Sequence, residues 1–146
     1  MVRSKCAAYG LLILSALPAQ AWEFTPGLPC LLTHETADVS VELTYDPGVP
    51  RYTISLSRPQ GFVPAAMFSM TFIGPFPLTI STDRHQISGD GTTLTVSDSG
   101  FGNVLNGLQF NHTAIATLGD TRVPIPLAGA SEPVAAFRAC RPQAGA

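Results

Sequence analysis

The stretch VSVELTYDPGVPRYTISLS, from Val39 to Ser57, decides the fold class of this chain. On both sides of its centre, apolar and polar residues alternate, as expected of strands that bury one face. The two runs are separated by Asp46-Pro47-Gly48, in which Pro47 suits the second position of a turn and Gly48 suits the positive φ of a type II turn. The stretch therefore predicts an antiparallel β-hairpin.

More strands are predicted along the rest of the chain, because short apolar or alternating runs recur between turn residues. The run at 66–73 is almost continuously apolar, which is typical of a strand covered on both faces. Near the C-terminus, Gly119-Asp120 separates two alternating runs and predicts a second hairpin. The last run carries Pro124 and Pro126, whose missing N–H groups share one edge, so we expect this strand at a sheet margin. The predicted strands beyond the first hairpin are 66–73, 78–80, 92–96, 113–118 and 122–127.

The C-terminal end has helical rather than β features. Ser131-Glu132-Pro133 is typical of a helix N-cap followed by the first turn. A short helix from about 132 to 140 would turn its apolar residues inward. The whole chain therefore predicts a single all-β domain, an antiparallel sandwich of about seven or eight strands with a short C-terminal helix.

The first 21 residues have the composition of a secretory signal peptide. Two basic residues precede an apolar run at 6–17, which is shorter than the ~20 residues that cross a bilayer. Ala19-Gln20-Ala21 then places small residues where signal peptidase requires them. We therefore expect cleavage after Ala21, leaving a domain of residues 22–146 in the periplasm or outside the cell, with no transmembrane segment. An uncleaved N-terminal anchor is the alternative interpretation.

Cys30 and Cys140 are the only cysteines that follow the predicted leader. In an oxidising compartment, a disulfide is the expected state of such a pair. The bond would close a loop of about 100 residues, which stabilises the fold by about 4–5 kcal/mol in the chain-entropy model. Two unrelated buried thiols are the alternative interpretation.

The charge of the chain argues against several classes of partner. Removal of the predicted leader leaves six arginines, no lysine and ten acidic residues, a formal charge of −4. Nucleic-acid binding requires a basic stripe that displaces counterions, whereas these arginines are scattered along the chain. The same composition argues against binding to anionic lipid headgroups and excludes lysine-based catalysis. We therefore expect no nucleic-acid partner.

The sequence contains no recognisable motif for catalysis or cofactor binding. His34, His85 and His112 are too widely spaced for the H-x-x-x-H or H-E-x-x-H pattern of a metal site. The G-x-S-x-G and S-x-x-K patterns of serine nucleophiles are missing as well. We therefore predict no catalytic residue, no metal and no cofactor, although a site assembled from distant histidines stays open.

The segment 97–110 differs from its surroundings, because alternation is lost and glycines lie among aromatic and asparagine residues. Glycine permits uncommon backbone conformations, aromatic rings supply contact area, and asparagine both donates and accepts hydrogen bonds. This composition predicts a recognition loop in which Phe101 and Asn103 are the most exposed residues. The alternative is a short helix around 104–108 that closes one end of the sandwich. The candidate recognition residues are Phe101, Asn103, Asn106 and Phe110.

The layout of the chain resembles that of small exported proteins of alphaproteobacteria. Trp22 and Cys30 follow the leader, and the chain ends with Ile125-Pro-Leu-Ala-Gly-Ala and then Val134-Ala-Ala-Phe. This ending is similar to that of the invasion-associated locus B family, whose members close with a Leu-x-Gly segment and an alanine-rich helix. The resemblance implies a periplasmic protein and supplies no catalytic residue.

These features together predict a non-enzymatic envelope protein that binds or supports another envelope protein. The low charge and the absence of catalytic motifs favour this interpretation, and the segment 97–110 is its candidate binding surface. A small-ligand or metal carrier is the first alternative, and a small hydrolase is the second.

Overall fold

A computed structural model describes residues 10–13 and 21–141, and these form two antiparallel sheets and two helices. The larger sheet has six strands in the order β1-β2-β3-β4-β8-β7, and the smaller has four in the order β10-β9-β5-β6. The strands are β1 (Glu23–Thr25), β2 (Cys30–Glu35), β3 (Ser40–Asp46), β4 (Arg51–Ser57), β5 (Phe68–Ile73), β6 (Leu78–Thr82), β7 (Gln86–Ile87), β8 (Thr93–Asp98), β9 (Thr113–Leu118) and β10 (Thr121–Pro126). The helices are α1 (Gly102–Phe110) and α2 (Ser131–Arg138).

The predicted all-β sandwich with a short C-terminal helix is confirmed. The described residues nevertheless form ten strands rather than seven or eight. The strands that the sequence did not predict are β1, with three residues, β2, with six, and β7, with two. Strands β1 and β7 contain too few positions for alternation to be detected, and β2 begins with three apolar residues in succession, so pairing with neighbouring strands identifies them.

The hairpin predicted from the opening stretch is confirmed as β3 and β4. The two strands pair antiparallel from Ser40 opposite Ser57 to Asp46 opposite Arg51. The expected type II turn is wrong, however, because Gly48 does not have a positive φ. Instead the Asp46 carboxylate accepts a hydrogen bond from the Gly48 N–H at 2.9 Å, which is the geometry of an Asx turn.

Strand β5 lies inside the smaller sheet, between β9 and β6, but it is not covered on both faces as predicted. Phe68, Met70 and Phe72 point into the core, whereas the residues between them lie on the outer face. The Ser69 hydroxyl, for example, is hydrogen-bonded to the Ser81 hydroxyl of β6 at 2.8 Å. The outer face is therefore polar along most of the strand, although Met67 just before it and Ile73 at its end are apolar and 50% and 49% exposed.

The predicted second hairpin and its edge position are confirmed. Strands β9 and β10 pair antiparallel around Gly119 and Asp120. Gly119 has a φ of +56° and Asp120 does not have a positive φ, which is the pattern of a type II′ turn. Strand β10 is the last strand of its sheet, and Pro124 and Pro126 are both exposed there. The sheet therefore loses no hydrogen bond through the missing N–H groups of these two prolines.

Helix α2 is fastened to the larger sheet by the predicted disulfide, which is confirmed. Cys30 at the start of β2 is bonded to Cys140 just beyond the helix, with 6.6 Å between their Cα atoms. The helix begins one residue earlier than expected, because the Ala130 carbonyl already accepts the Val134 N–H. Ala130 rather than Ser131 therefore occupies the N-cap position.

Most of the predicted leader, residues 1–21, lies outside the described residues, so cleavage after Ala21 stays a prediction. The residue that follows is an integral part of the fold. Trp22 is only 3% exposed, and its indole N–H donates to the Pro126 carbonyl at 3.0 Å. Among the residues that the structure describes, no helix combines the length and the apolar character needed to cross a bilayer.

Candidate functional site

The segment predicted as a recognition loop is mostly helical, which corrects the expectation of irregular structure. Helix α1 places Leu105, Gly107 and Leu108 against the core. Glycine and asparagine have low helix propensity, so the sequence of this segment favours a loop. The helix forms because burial of its apolar side outweighs that propensity, and it closes one end of the sandwich as in the alternative interpretation.

Gly107 is the point where α1 approaches the smaller sheet most closely. A Cβ atom at this position would lie about 2.5 Å from ring atoms of Phe72, which is fully buried on β5. The glycine therefore serves close packing of the helix on the sheet rather than loop flexibility. This use of glycine depends on a residue 35 positions earlier in the chain, which the local sequence does not reveal.

The side chain of Phe101 is buried, with 5% of its surface exposed, so the prediction that it is among the most exposed residues is wrong. Its ring stacks on Tyr52 of β4, with 5.4 Å between the ring centroids. Phe101 immediately precedes the first turn of α1, and this position turns the ring toward the space between the two sheets. Asn103, by contrast, is exposed as expected.

An apolar cleft of about 450 Å³ opens between the two sheets, on the side where β6 and β8 lie. Met70 and Ile80 form its wall in the smaller sheet, and Ile54 and Val96 form its wall in the larger sheet. The start of α1 closes the end at which Phe101 lies. Such a volume falls within the range of small-molecule binding sites, about 300–1,000 Å³.

One ion pair lies at the mouth of this cleft. A guanidinium nitrogen of Arg84 donates to the Asp98 carboxylate at 3.0 Å, and both side chains are well exposed. The Ser99 N–H and, to a smaller extent, the Arg84 guanidinium lower the pKa of Asp98, so its carboxylate stays ionised at neutral pH. The rim therefore carries one positive and one negative charge that neutralise each other.

A shallower groove of about 670 Å³ adjoins the cleft, and Asn103 lines both. Its exposed aromatic residues are Phe76 and Phe110, which are 62% and 43% exposed. Their rings meet edge to face, with 5.6 Å between centroids. Asn106 lies in the same groove, so three of the four predicted recognition residues come together here and only Phe101 does not.

The groove is held by Asn111, a buried residue that the sequence did not identify as functional. The Asn111 side-chain oxygen accepts the Phe76 N–H at 2.9 Å, and its amide nitrogen donates to the carbonyls of Phe76 and Gly107. A Cβ atom on Gly74 would lie 2.8 Å from the Asn111 Cα, so only glycine fits beside it. These contacts fix the backbone of Phe76 against the C-terminal end of α1.

Helix α2 supports the groove from the other side. The Arg138 guanidinium donates to the side-chain oxygen of Asn106 at 2.7 Å and to that of Gln109 at 3.0 Å. Because α2 is itself tied to β2 by the disulfide, the orientation of α1 depends on both ends of the chain. The sequence suggested neither this arginine nor Phe76 as part of a site.

The three histidines have different surroundings. His34 is buried and its ring stacks on Trp22, with 4.7 Å between centroids and 8° between planes. A ring nitrogen of His85 lies 2.9 Å from the Ala65 carbonyl, and His112 is exposed. Within residues 10–13 and 21–141, no group of three or more histidine, cysteine, aspartate or glutamate side chains is arranged to hold a metal ion.

His34 is expected to make the protein less stable as the pH falls below about 6.5. Burial lowers the pKa of His34 from its ordinary value of 6.5, and a hydrogen bond with the Ala21 backbone only partly opposes this. Below pH 6.5, His34 therefore becomes protonated in the unfolded chain before it does so in the folded protein. The free energy of unfolding then decreases by at most about 1.4 kcal/mol per pH unit because of this group. Urea denaturation at pH 7.5 and pH 5.5 measures the difference.

The matched variants are His34→Phe, which keeps a ring against Trp22, and His112→Gln, which changes an exposed histidine. The decrease in stability between the two pH values should shrink in the first and persist in the second. Asp90 and Asp98 do not interfere, because their lowered pKa values confine their effect to more acidic solution. An unchanged pH dependence in His34→Phe would contradict the assignment.

The similarity of the C-terminal end to the invasion-associated locus B family stays a prediction. The structure contains the short alanine-rich helix that this similarity implies, but a helix of eight residues is not specific to any family. Comparison of the chain with models of protein families, with curated proteins and with solved structures finds no match.

Proposed function

We propose that this chain is a non-enzymatic protein of the cell envelope that binds another protein. The single observation that carries the proposal is the pair of exposed aromatic rings, Phe76 and Phe110, in a groove whose backbone is held by Asn111. No lysine, arginine, aspartate or glutamate side chain lines this groove among the described residues. The partner surface is therefore apolar rather than charged.

Rigid exposed aromatic residues favour binding because little conformational entropy is lost when a partner covers them. The three hydrogen bonds of Asn111 fix the chain around Phe76 before any partner arrives. The nearby amides of Asn103 and Asn106 add polar groups at the border of an apolar centre, which is the usual arrangement of a protein interface. These properties support an interaction surface over an incidental apolar patch.

Export to the periplasm or the cell exterior, after cleavage following Ala21, is part of the same proposal. It is supported by the composition of the leader and by the disulfide between Cys30 and Cys140, since such bonds persist in oxidising compartments. An envelope protein is therefore the expected kind of partner, and we expect neither a nucleic acid nor a cofactor.

The double variant Phe76→Ser/Phe110→Ser is expected to lose its partner while staying folded. Phe76 is 62% and Phe110 is 43% exposed, so their loss should lower the melting temperature much less than loss of a buried ring, whereas central aromatic contacts of an interface contribute about 2 kcal/mol or more each. Loss of both contacts, about 4 kcal/mol, should therefore lower the affinity roughly 700-fold. Capture of proteins from the native envelope by tagged wild-type and variant chains measures this loss.

Val63→Ser is the matched control, because Val63 is 75% exposed and lines neither the cleft nor the groove. A specific partner should be retained by wild type and by the control, and lost by the double variant. Equal capture by all three chains would refute the groove as the binding surface.

A small-ligand carrier is the second candidate, and the apolar cleft is the observation that favours it. Its volume of about 450 Å³ would enclose a small apolar molecule. Native mass spectrometry of the protein from its own envelope distinguishes the two functions. A bound molecule of constant mass would favour the carrier, whereas an unliganded chain that retains a protein partner would favour the interaction protein.

A further inference from the structure

Strand β6 presents an open edge beside the apolar cleft. It is the last strand of the smaller sheet, and among the described residues only β5 pairs with it. Natural edge strands are usually protected by lysine, proline, bulges or covering segments. The five residues from Leu78 to Thr82 contain no lysine and no proline, and they pair with β5 without interruption.

The register of the smaller sheet determines which groups of β6 face outward. Because a two-residue turn joins β9 to β10, Leu118 and Thr121 form a hydrogen-bonded pair. The backbone N–H and C=O groups of successive residues in a strand point to opposite sides. Because those of Leu118 point toward β10, those of Thr117 point toward β5, where Thr117 lies opposite Ser69. The hydrogen bond from the His112 N–H to the Ile73 carbonyl agrees with this alternation.

The same alternation, applied to β5 and β6, shows which backbone groups of β6 point away from the sheet. On β5, the backbone groups of Ser69 and of every second residue from it form hydrogen bonds with β9. Those of Met70 therefore form hydrogen bonds with β6, where Met70 lies opposite Ile80. The backbone N–H and C=O groups of Thr79 and Ser81 therefore point away from the sheet. These are the groups that an added strand would pair with.

The side chains of β6 that face inward line the two cavities. Leu78 lies in the shallow groove, and Ile80 and Thr82 lie in the cleft. Across the cleft, β7 pairs only with Thr95 and Leu94 of β8, so the segment that includes Val96 has no described strand on that side. The sandwich is thus open between β6 and the end of β8.

We propose that the cleft receives an extended segment of the partner protein, which adds to β6 as a further strand. Its apolar side chains, at alternate positions, enter the cleft over Met70 and Val96, and its backbone pairs with Thr79 and Ser81. The segment is uncharged over about five residues, because Arg84 and Asp98 neutralise each other at the rim. This inference rests on the proposed function and names the form of the partner.

The open backbone groups are the reason to choose a polypeptide over a lipid. An alkyl chain would fill the apolar cleft but could not bond to the N–H and C=O groups of Thr79 and Ser81, which would stay exposed to water. A peptide strand satisfies both requirements at once, since side chains and backbone groups of one strand point in perpendicular directions. The groove with Phe76 and Phe110 continues from the same strand and lengthens the contact.

The test uses a synthetic capped peptide with leucine or valine at alternate positions, threonine between them and a glycine–serine tail for solubility. Its affinity is measured by isothermal titration calorimetry with wild type, Ser81→Pro and Ser81→Ala. Proline removes the outward N–H without breaking a bond to β5, whereas alanine removes only the hydroxyl that contacts Ser69. We expect binding to wild type and alanine, and an affinity about tenfold lower for proline.

A second measurement keeps the test decisive if Ser81→Pro folds poorly. The same peptide, N-methylated on the nitrogens that would face β6, should bind wild type about tenfold more weakly than the parent peptide. Equal binding of both peptides would overturn strand addition, and so would no binding of either. Displacement of the peptide by a ten-carbon alcohol with no dependence on Ser81→Pro would instead identify an apolar-ligand site.

These results separate the two proposals. If the peptide fails while the Phe76→Ser/Phe110→Ser variant still loses its envelope partner, strand addition is wrong and the proposed function stands. If the peptide binds as expected but partner capture does not depend on the two aromatic rings, the groove is not the partner-binding surface. Strand addition to β6 then still stands.

Discussion

Replacement of Cys30 and Cys140 by alanine should destabilise the protein by about 4–5 kcal/mol, the largest effect expected of any change discussed. The disulfide joins residues 110 positions apart and therefore closes most of the domain that the structure describes into one loop. In the chain-entropy model, closing a loop of this length lowers the conformational entropy of the unfolded state and raises its free energy by about 4.7 kcal/mol. For a domain of this size the melting temperature should fall by roughly 15 °C.

Thermal and urea denaturation of the double variant and of wild type measure this effect directly. The control is wild type with and without a reductant, because reduction opens the same loop without cavities from side-chain truncation. Two outcomes would contradict the entropic account: a reduced protein as stable as the oxidised one, or a double variant that loses far more stability than reduction causes. Because α2 supports α1 through Arg138, the reduced protein should also hold the aromatic groove less firmly.

Phe101→Ala is the second large effect, with an expected loss of about 3–5 kcal/mol. The ring is 5% exposed and stacks on Tyr52, so its removal leaves a cavity that the neighbouring strands cannot fill completely. Tyr52 in turn stacks on Tyr45, with 4.2 Å between centroids, and touches Phe137 of α2. The substitution therefore weakens an aromatic cluster that joins the first hairpin to both helices.

Asn103→Ala is the matched control, since Asn103 is an exposed neighbour on the same helix and should change stability by less than about 0.5 kcal/mol. Chemical denaturation of both variants gives the comparison. If Phe101→Ala melted at the temperature of wild type, the burial of this ring between the sheets would be wrong. The earlier hypothesis that Phe101 is a recognition residue would then regain support.

Much of the candidate site escaped prediction because its residues act over long distances in the sequence. Asn111 supports the groove through contacts with Phe76, 35 residues earlier, and with Gly107, and Arg138 does so through contacts with α1. Neither position stands out in composition or periodicity. Asn103, Asn106 and Phe110 were predicted because an unusual mixture of glycine, asparagine and aromatic residues is a local feature.

The sequence by itself determined the features that depend on local order. Alternation sets which side of a strand is apolar, so the β3–β4 hairpin followed from residue order alone. The edge position of β10 followed from the two prolines, Pro124 and Pro126, which lack backbone N–H groups. The disulfide followed because Cys30 and Cys140 are the only cysteines after the predicted leader. Each of these conclusions requires only the spacing of residues or their number.

The tertiary structure alone decided the form of the segment 97–110 and the existence of the cleft. Weak local propensities left loop and helix close in free energy, and burial of Leu105 and Leu108 against the core selected the helix. That selection turned Phe101 inward and left Phe110 exposed. The opening between β6 and β8 likewise depends on which strands end each sheet, and pairing between distant segments, rather than any local pattern, determines that order.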